Sequence, residues 1–226
     1  MLNKLFSFIK SKEQSQKETF EYILQIANNI SQENPKELLN LIKLLGQKTQ
    51  AEQLLYILKH KNGHHMRAIS RRNIWFSPST RFGIESKTLS EVFLQLPNND
   101  KISLGDDLVI TNPWERSRMQ AALIHHGQSR NRGAWKQDSN HYTVLWKPLN
   151  IIWVENGNHS IAAGIIQGDG TLVPSETYDI SPIYDYIKCD GNHFIDIEQN
   201  KVIGNVRNIE FAAIFEIGRL LRDVNK

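Results

Sequence analysis

The stretch Ile151-Ile152-Trp153-Val154-Glu155-Asn156-Gly157-Asn158-His159-Ser160-Ile161-Ala162-Ala163-Gly164-Ile165-Ile166 constrains this chain more than any other. Its first four residues are β-branched or aromatic and read as a strand. The run from Ser160 to Ile166 is small or apolar and reads as a helix, which Gly168-Asp169-Gly170 ends. Only five residues separate the two, so strand must turn into helix almost on the spot. Gly157 is suited to a tight turn or a close backbone approach at that point. The first N–H groups of such a helix lack intrahelical partners and point back at the turn, where an anion is favoured. Asn158 and His159 then stand where they cap the helix or add hydrogen bonds to a ligand. A capped helix behind a solvated asparagine turn satisfies the same pattern without any ligand.

The flanking elements extend this reading. Tyr142 to Trp146 forms a second strand, and the tight link Lys147-Pro148-Leu149-Asn150 pairs it antiparallel with the first. Further upstream, Asn112 reads as a helix cap, Pro113 as the first helical residue and Glu115 as its third. Met119, Ala122, Leu123 and His126 continue one face of that helix until Gly127. Asp107 to Ile110 reads as a strand, and Thr88 to Leu96 fits a short helix or a strand. Downstream come an extended stretch from Leu172 to Ile180, a hairpin of Phe194–Ile197 with Val202–Ile203, and a helix from Ile209 to Leu221.

The first third is helical. Phe20, Ile23, Leu24, Ala27 and Ile30 recur at helical spacing. Asn34-Pro35 opens a second helix that Gly46 is expected to stop, and a third runs from Gln50 to Asn62-Gly63. Helices mixed with short strands in this order predict an α+β fold, with a helical segment over 1–66 and an α+β core over 67–226.

Composition removes several function classes. In 226 residues there is one cysteine, Cys189, which excludes an internal disulfide and any multi-thiolate zinc site. No run reaches the 18 apolar residues of a membrane span. The apolar residues Leu5, Phe6, Phe8 and Ile9 alternate with polar ones and are too few for a signal peptide. A cytoplasmic protein without membrane contact is expected. A net charge of +3 names no partner, but residues 1–72 hold twelve Lys or Arg against six Asp or Glu. His60, Lys61, His64, His65, Arg67, Arg71 and Arg72 form one basic cluster, and Arg116, Arg118, Arg130, Arg132 and Lys136 another. Such clusters bind phosphates or simply face solvent.

From about Asn112 to Ile180, the order of helix, paired strands, Gly157-Asn158-His159-Ser160 turn and helix resembles a known core. It is the one shared by ParB-type partition proteins, their nuclease-like relatives and sulfiredoxin. In that superfamily a Gly-x-His/Arg-Arg-type turn opens a helix beneath nucleotide phosphates. The resemblance implies a ParB-like/sulfiredoxin-like core with Gly157, Asn158, His159 and Ser160 as its phosphate-binding turn. It makes His159 the candidate catalytic group and a nucleotide with Mg2+ the expected cofactor. Arg116 and Arg118 resemble basic residues beside that pocket, and Arg130 and Arg132 sit in a loop that would close over a phosphate. Ser160 replaces the arginine of most relatives, which removes a cationic fork. No cysteine adjoins the turn, so sulfiredoxin chemistry is not carried over, and the helical segment does not read as a helix-turn-helix.

Other polar groups carry weaker signals. Gly-Asn-His recurs at Gly191 to His193, so His159, His193 and Asp196 are a chemically adequate set for a phosphate or divalent metal; a plain turn at Asp190-Gly191 explains the repeat equally. His125-His126 precedes a helix end, where histidine complements the helix dipole. Among the tryptophans, Trp135 is the candidate for base stacking and Trp146 and Trp153 read as core. Phosphate-loop, dinucleotide-fingerprint, zinc-protease and nucleophile-elbow motifs are absent from the sequence. The functional expectation is a nucleotide- or phosphate-responsive intracellular protein, including the form of a nuclease-like phosphodiesterase. Its alternative is a non-enzymatic module whose residues 1–72 bind nucleic acid or a protein partner.

Overall fold

In a computed structural model, which describes residues 2–60, 69–127 and 133–224 and the side chains among them from residue 13 onward, the first element is a long helix, α1 (Leu2–Glu33). Asn34 and a 3-10 turn (Pro35–Glu37) lead into α2 (Leu38–Lys59). The expected stop at Gly46 does not occur, and the second and third expected helices are one. A Cβ at residue 46 would lie 2.4 Å from Leu108 Cδ2, so the missing side chain lets Leu108 close onto the helix. A lone interior glycine weakens a helix by only about 1 kcal/mol, too little to break one that is packed.

The ambiguous stretch near residue 90 contains both kinds of element, α3 (Leu89–Val92) and β1 (Leu94–Leu96). The helix is opened by a capping box between Thr88 and Glu91. Then follow β2 (Ile102–Ser103), β3 (Leu108–Ile110), α4 (Arg116–His125), β4 (Tyr142–Lys147), β5 (Ile151–Asn156) and α5 (Asn158–Gln167). The remainder comprises β6 (Thr171–Leu172), β7 (Glu176–Asp179), α6 (Ile183–Tyr186), β8 (Ile187–Cys189), β9 (His193–Asp196), β10 (Lys201–Asn205) and α7 (Ile209–Val224). The fold is mixed α+β. Among the described residues no helix is long and apolar enough to cross a membrane.

Contacts group the chain into two compact units, and neither is a continuous stretch. One comprises Met1–Leu45, Arg72–Phe93 and Ile180–Lys226; the other comprises Gly46–Arg71 and Leu94–Asp179. In the first, α1 packs on α7, and β10, β9 and β8 form an antiparallel sheet that contains the expected hairpin. Its centre is aromatic: Phe215 meets Trp75, Tyr184 and Phe194 edge-on at centroid distances of 4.8, 5.1 and 5.4 Å. The Asp196 carboxylate accepts the backbone N–H of Gly83 and of Gln199, at 2.7 and 3.0 Å, which gives that buried acid a structural role. His193 stands beside Asp190 in the turn that carries the second Gly-Asn-His.

The second unit is built on a five-stranded sheet in the order β1-β7-β4-β5-β3. β4 and β5 pair antiparallel as the sequence predicts, with Val144 opposite Trp153 and Leu145 opposite Ile152. β3 runs parallel to β5, and β7 parallel to β4. Ile152, Val154, Leu145, Val109, Ile161 and Trp135 share one buried cluster, so α5 lies against the sheet by the face that carries Ile161. Ala162 packs with Met119 and Ile57, joining α5 to α4 and to the end of α2. The small residues of α5 thus allow close packing on both sides.

Candidate functional site

β5 ends at Asn156, and Gly157 takes φ +86°, ψ 14°, the left-handed conformation that a side chain disfavours. This residue is the N-cap of α5, which starts at Asn158, two residues before the expected Ser160. A Cβ at residue 157 would sit 2.4 Å from the His141 ring and 3.3 Å from the Asn140 carbonyl oxygen. Glycine therefore serves both the turn and the close approach of the 140–141 backbone. The first intrahelical N–H to find a partner is that of Ile161, which donates to the Gly157 carbonyl at 3.0 Å.

The first turn of α5 lines an open cavity of about 320 Å³. Gly157, Asn158, His159 and Ser160 form one part of its wall, and Trp114, Arg118, His125 and His126 of α4 and its approach form another. Asn140 and Asn156 complete the polar rim. Four of the sequence-predicted residues and Arg118 are thus brought together. Arg116 is exposed in the first turn of α4 and does not line the cavity. Arg130 and Arg132 lie outside the described residues, as do Lys61, His64, His65 and Arg67 of the first basic cluster. Arg71, from that cluster, donates Nε–H to Glu155 at 2.6 Å.

α4 begins later than expected. Asn112 does not cap it, because its backbone N–H donates to Asn158 Oδ1 at 2.7 Å and its side-chain amide donates to the Ile69 carbonyl at 2.5 Å. Thr111 is held in the same way: its N–H donates to Gln50 Oε1 at 2.6 Å. Residues 111–114 are therefore fixed in a non-helical path by partners outside the local sequence, and Glu115 becomes the N-cap of a helix that starts at Arg116. Asn158, one of the four residues of the expected phosphate-binding turn, is thereby a structural tie, with its oxygen engaged and its side chain buried.

His159 is only 9% exposed. Its Nε2 accepts the Glu115 backbone N–H at 3.2 Å, which assigns the proton of the neutral ring to Nδ1. Burial, and after it the Arg118 guanidinium, hold this imidazole below its ordinary pKa, so at neutral pH it acts as a neutral donor and carries no charge. The ring packs edge-on against Trp114 at 4.5 Å. Arg118 lies over the Trp114 indole at 5.8 Å and pairs with Glu115 at 3.1 Å, with its side chain 63% exposed. Ser117 also donates its hydroxyl to the Glu115 carboxylate.

The expected stacking role of Trp135 is not met, and a tryptophan with no expected role stands at the cavity instead. Trp135 is 4% exposed, sits in the apolar cluster under α5 and donates Nε1–H to Ser160 Oγ at 3.0 Å. It is a core residue and no free stacking surface, and it also engages the Ser160 hydroxyl. Trp114 is 45% exposed at the cavity. Nothing in its spacing marks it; only the pinned path of residues 111–114 places it there. Asn140 and Asn156 were equally silent, and they meet across the β4–β5 pair with Asn156 Nδ2–H donating to Asn140 Oδ1 at 2.9 Å.

Among the described residues no group of three or more His, Cys, Asp or Glu side chains is placed to hold a metal ion. Among the described residues the cavity wall also contains no carboxylate, the side chain that Mg2+ favours, so those residues do not fit a protein-held Mg2+. The chemistry of the described wall is that of hydrogen-bonding groups and an exposed guanidinium beside an indole. No curated protein and no solved structure matches the chain. Residues 6–226 match the model of a family of unknown function, DUF6710, and the chain belongs to that family.

Proposed function

We propose that the cavity at the start of α5 receives the phosphate of a nucleotide or other phosphorylated small molecule, and that the protein is nucleotide- or phosphate-responsive. The observation that carries this reading is the left-handed Gly157, which opens α5 into the same cavity that Arg118 and His159 line. The free N–H groups and dipole of a helix start favour an anion by about 0.3–2 kcal/mol. That alone is too weak for a specific site. Arg118 adds a charge-assisted hydrogen bond, of about 1.5–3 kcal/mol. Its present partner is the half-exposed Glu115, in a surface pair of the kind that contributes about 0–1 kcal/mol, so exchange of carboxylate for phosphate is favourable. His159 contributes a neutral donor and fixes the backbone of Glu115.

The order α4, β4, β5, Gly157 turn and α5 supports reading the second unit as a ParB-like core. The reading is one of binding. His159 Nε2 is engaged by Glu115, and the described residues of the cavity wall supply no carboxylate base, so no hydrolytic step is assigned.

Calorimetry with ATP, CTP and GTP, each with and without magnesium, and with inorganic phosphate tests it. Wild-type protein is expected to give saturable heat with at least one of these, and Arg118→Gln to weaken that binding by about tenfold or more. Because Arg118 is exposed, the variant should unfold at the wild-type temperature. No heat with any of the four ligands rejects the proposal.

A further inference from the structure

We infer that the ligand carries a heteroaromatic base: that the cavity is built for a nucleotide, and that Trp114 and the Asn140–Asn156 pair receive its base. The inference rests on the phosphate reading above and adds the ligand's other half. A phosphate at the start of α5 would use only part of a cavity of about 320 Å³. The rest of the wall is distinctive in two ways.

The first is an exposed indole. Large aromatic side chains are buried when the fold can bury them, and Trp75, Trp135, Trp146 and Trp153 all are. Trp114 remains 45% exposed, although it is held firmly: His159 packs against it at 4.5 Å and the backbone before it is pinned by Gln50 and Asn158. An exposed indole held by its neighbours is a stacking plate that gives up little conformational entropy on binding, and Arg118, which lies over the same ring at 5.8 Å, leaves it on turning to the phosphate. The second is the amide pair. Asn156 and Asn140 satisfy one donor and one acceptor in each other. One carbonyl oxygen and amide hydrogens remain, on different side chains, and exchanging O and N on both amides leaves the same inventory. An acceptor beside donors on two neighbouring amides is complementary to a base edge, which offers both kinds of group. It has no counterpart on inorganic phosphate. Both features stand against the first turn of α5, Trp114 through His159 and Asn140 through Gly157. A phosphate seated on that turn therefore has the plate and the amide edge within the same cavity.

Calorimetry with AMP, CMP, GMP, UMP, ribose 5-phosphate and inorganic phosphate tests the inference on the full chain. Stacking predicts that the preferred nucleotide binds about tenfold or more tighter than ribose 5-phosphate. Trp114→Ala should erase that margin while ribose 5-phosphate still binds within about twofold of wild type, and Trp114→Phe should keep most of it. Asn156→Ala should narrow the preference among the four bases. A short 5′-phosphorylated oligonucleotide that binds more tightly still would place the nucleotide at a chain end and leave the base assignment intact. If ribose 5-phosphate binds wild type as tightly as every nucleotide, the base inference falls and the phosphate reading stands. If Trp114→Ala weakens both ligands equally, Trp114 only positions Arg118 and the inference falls. If none of the six ligands binds, both readings fall.

Discussion

Gly157 is where conformation and packing make the same demand. A side chain there meets a left-handed φ, a penalty of about 1–2 kcal/mol, and a contact at 2.4 Å with a ring that cannot swing away. His141 is buried, with its Nδ1 accepting the Asp138 N–H at 2.9 Å and its ring tilted against Trp135. Overpacking of this kind adds about 1–3 kcal/mol. Gly157→Ala is therefore expected to lower stability by at least about 2 kcal/mol in urea unfolding. A variant within 0.5 kcal/mol of wild type, roughly the scatter of neutral surface changes, would mean that the turn relaxes. The two histidines beside the turn give a pH signature. Burial lowers the pKa of both His141 and His159, so the unfolded chain takes up protons first as the solution is acidified. The stability they supply is intact above about pH 6.5, the ordinary value, and is lost as the pH falls through their lower folded values. The urea midpoint should decline below pH 6.5, and His141→Gln, which does not titrate, should make that decline shallower. A steeper decline in the variant would contradict the assignment.

Among the elements, α2 shows how a local signal loses to packing. Gly46 carries a helix-stop signature, yet the helix continues because Leu108 occupies the space its side chain would fill. Gly46→Ala sets two effects against each other. Helix propensity favours alanine by about 1 kcal/mol, while a Cβ 2.4 Å from Cδ2 and 2.8 Å from Cδ1 of a buried Leu108 costs about 1–3 kcal/mol. The expected net result is a loss of about 1 kcal/mol, and Gly46→Ala with Leu108→Ala together should show favourable coupling in a double-mutant cycle. Additive losses would show that the two residues do not share the space. What was legible in the sequence follows the same division. The β4–β5 pair, the Gly157 turn, the β9–β10 hairpin and α7 are set by neighbours in sequence, and each was readable. The start of α4 was not, because Asn112 gives its hydrogen bonds to Ile69 and Asn158 and leaves its helix uncapped. Trp135 was misread, and Trp114 passed over, for the same reason. Trp135 looks like a loop residue and Trp114 like part of a helix start, and only the placement of α5 and the pinned path of residues 111–114 decide which is covered.

At the scale of the whole molecule, the same non-local logic governs how the chain is divided. Composition and periodicity run along the sequence, whereas the two compact units draw on alternating segments of it. The candidate site belongs wholly to the unit formed by Gly46–Arg71 and Leu94–Asp179, including Gln50, Ile69 and Glu155, whose hydrogen bonds position or flank it. Those partners explain why no single window of sequence displays the cavity.

The interleaving also orders events during synthesis. Chains emerge from the ribosome from the N-terminus, and compact units form once all their residues are available. Residues up to Asp179 complete the unit that holds the cavity. The other unit began with Met1 but needs Ile180–Lys226 for its aromatic centre and for α7. Phe20 and Ala27 of its long first helix therefore lack their final burial until Ile180–Lys226 has been made. The unit that holds the cavity has all its residues first, and α1 is covered only after that.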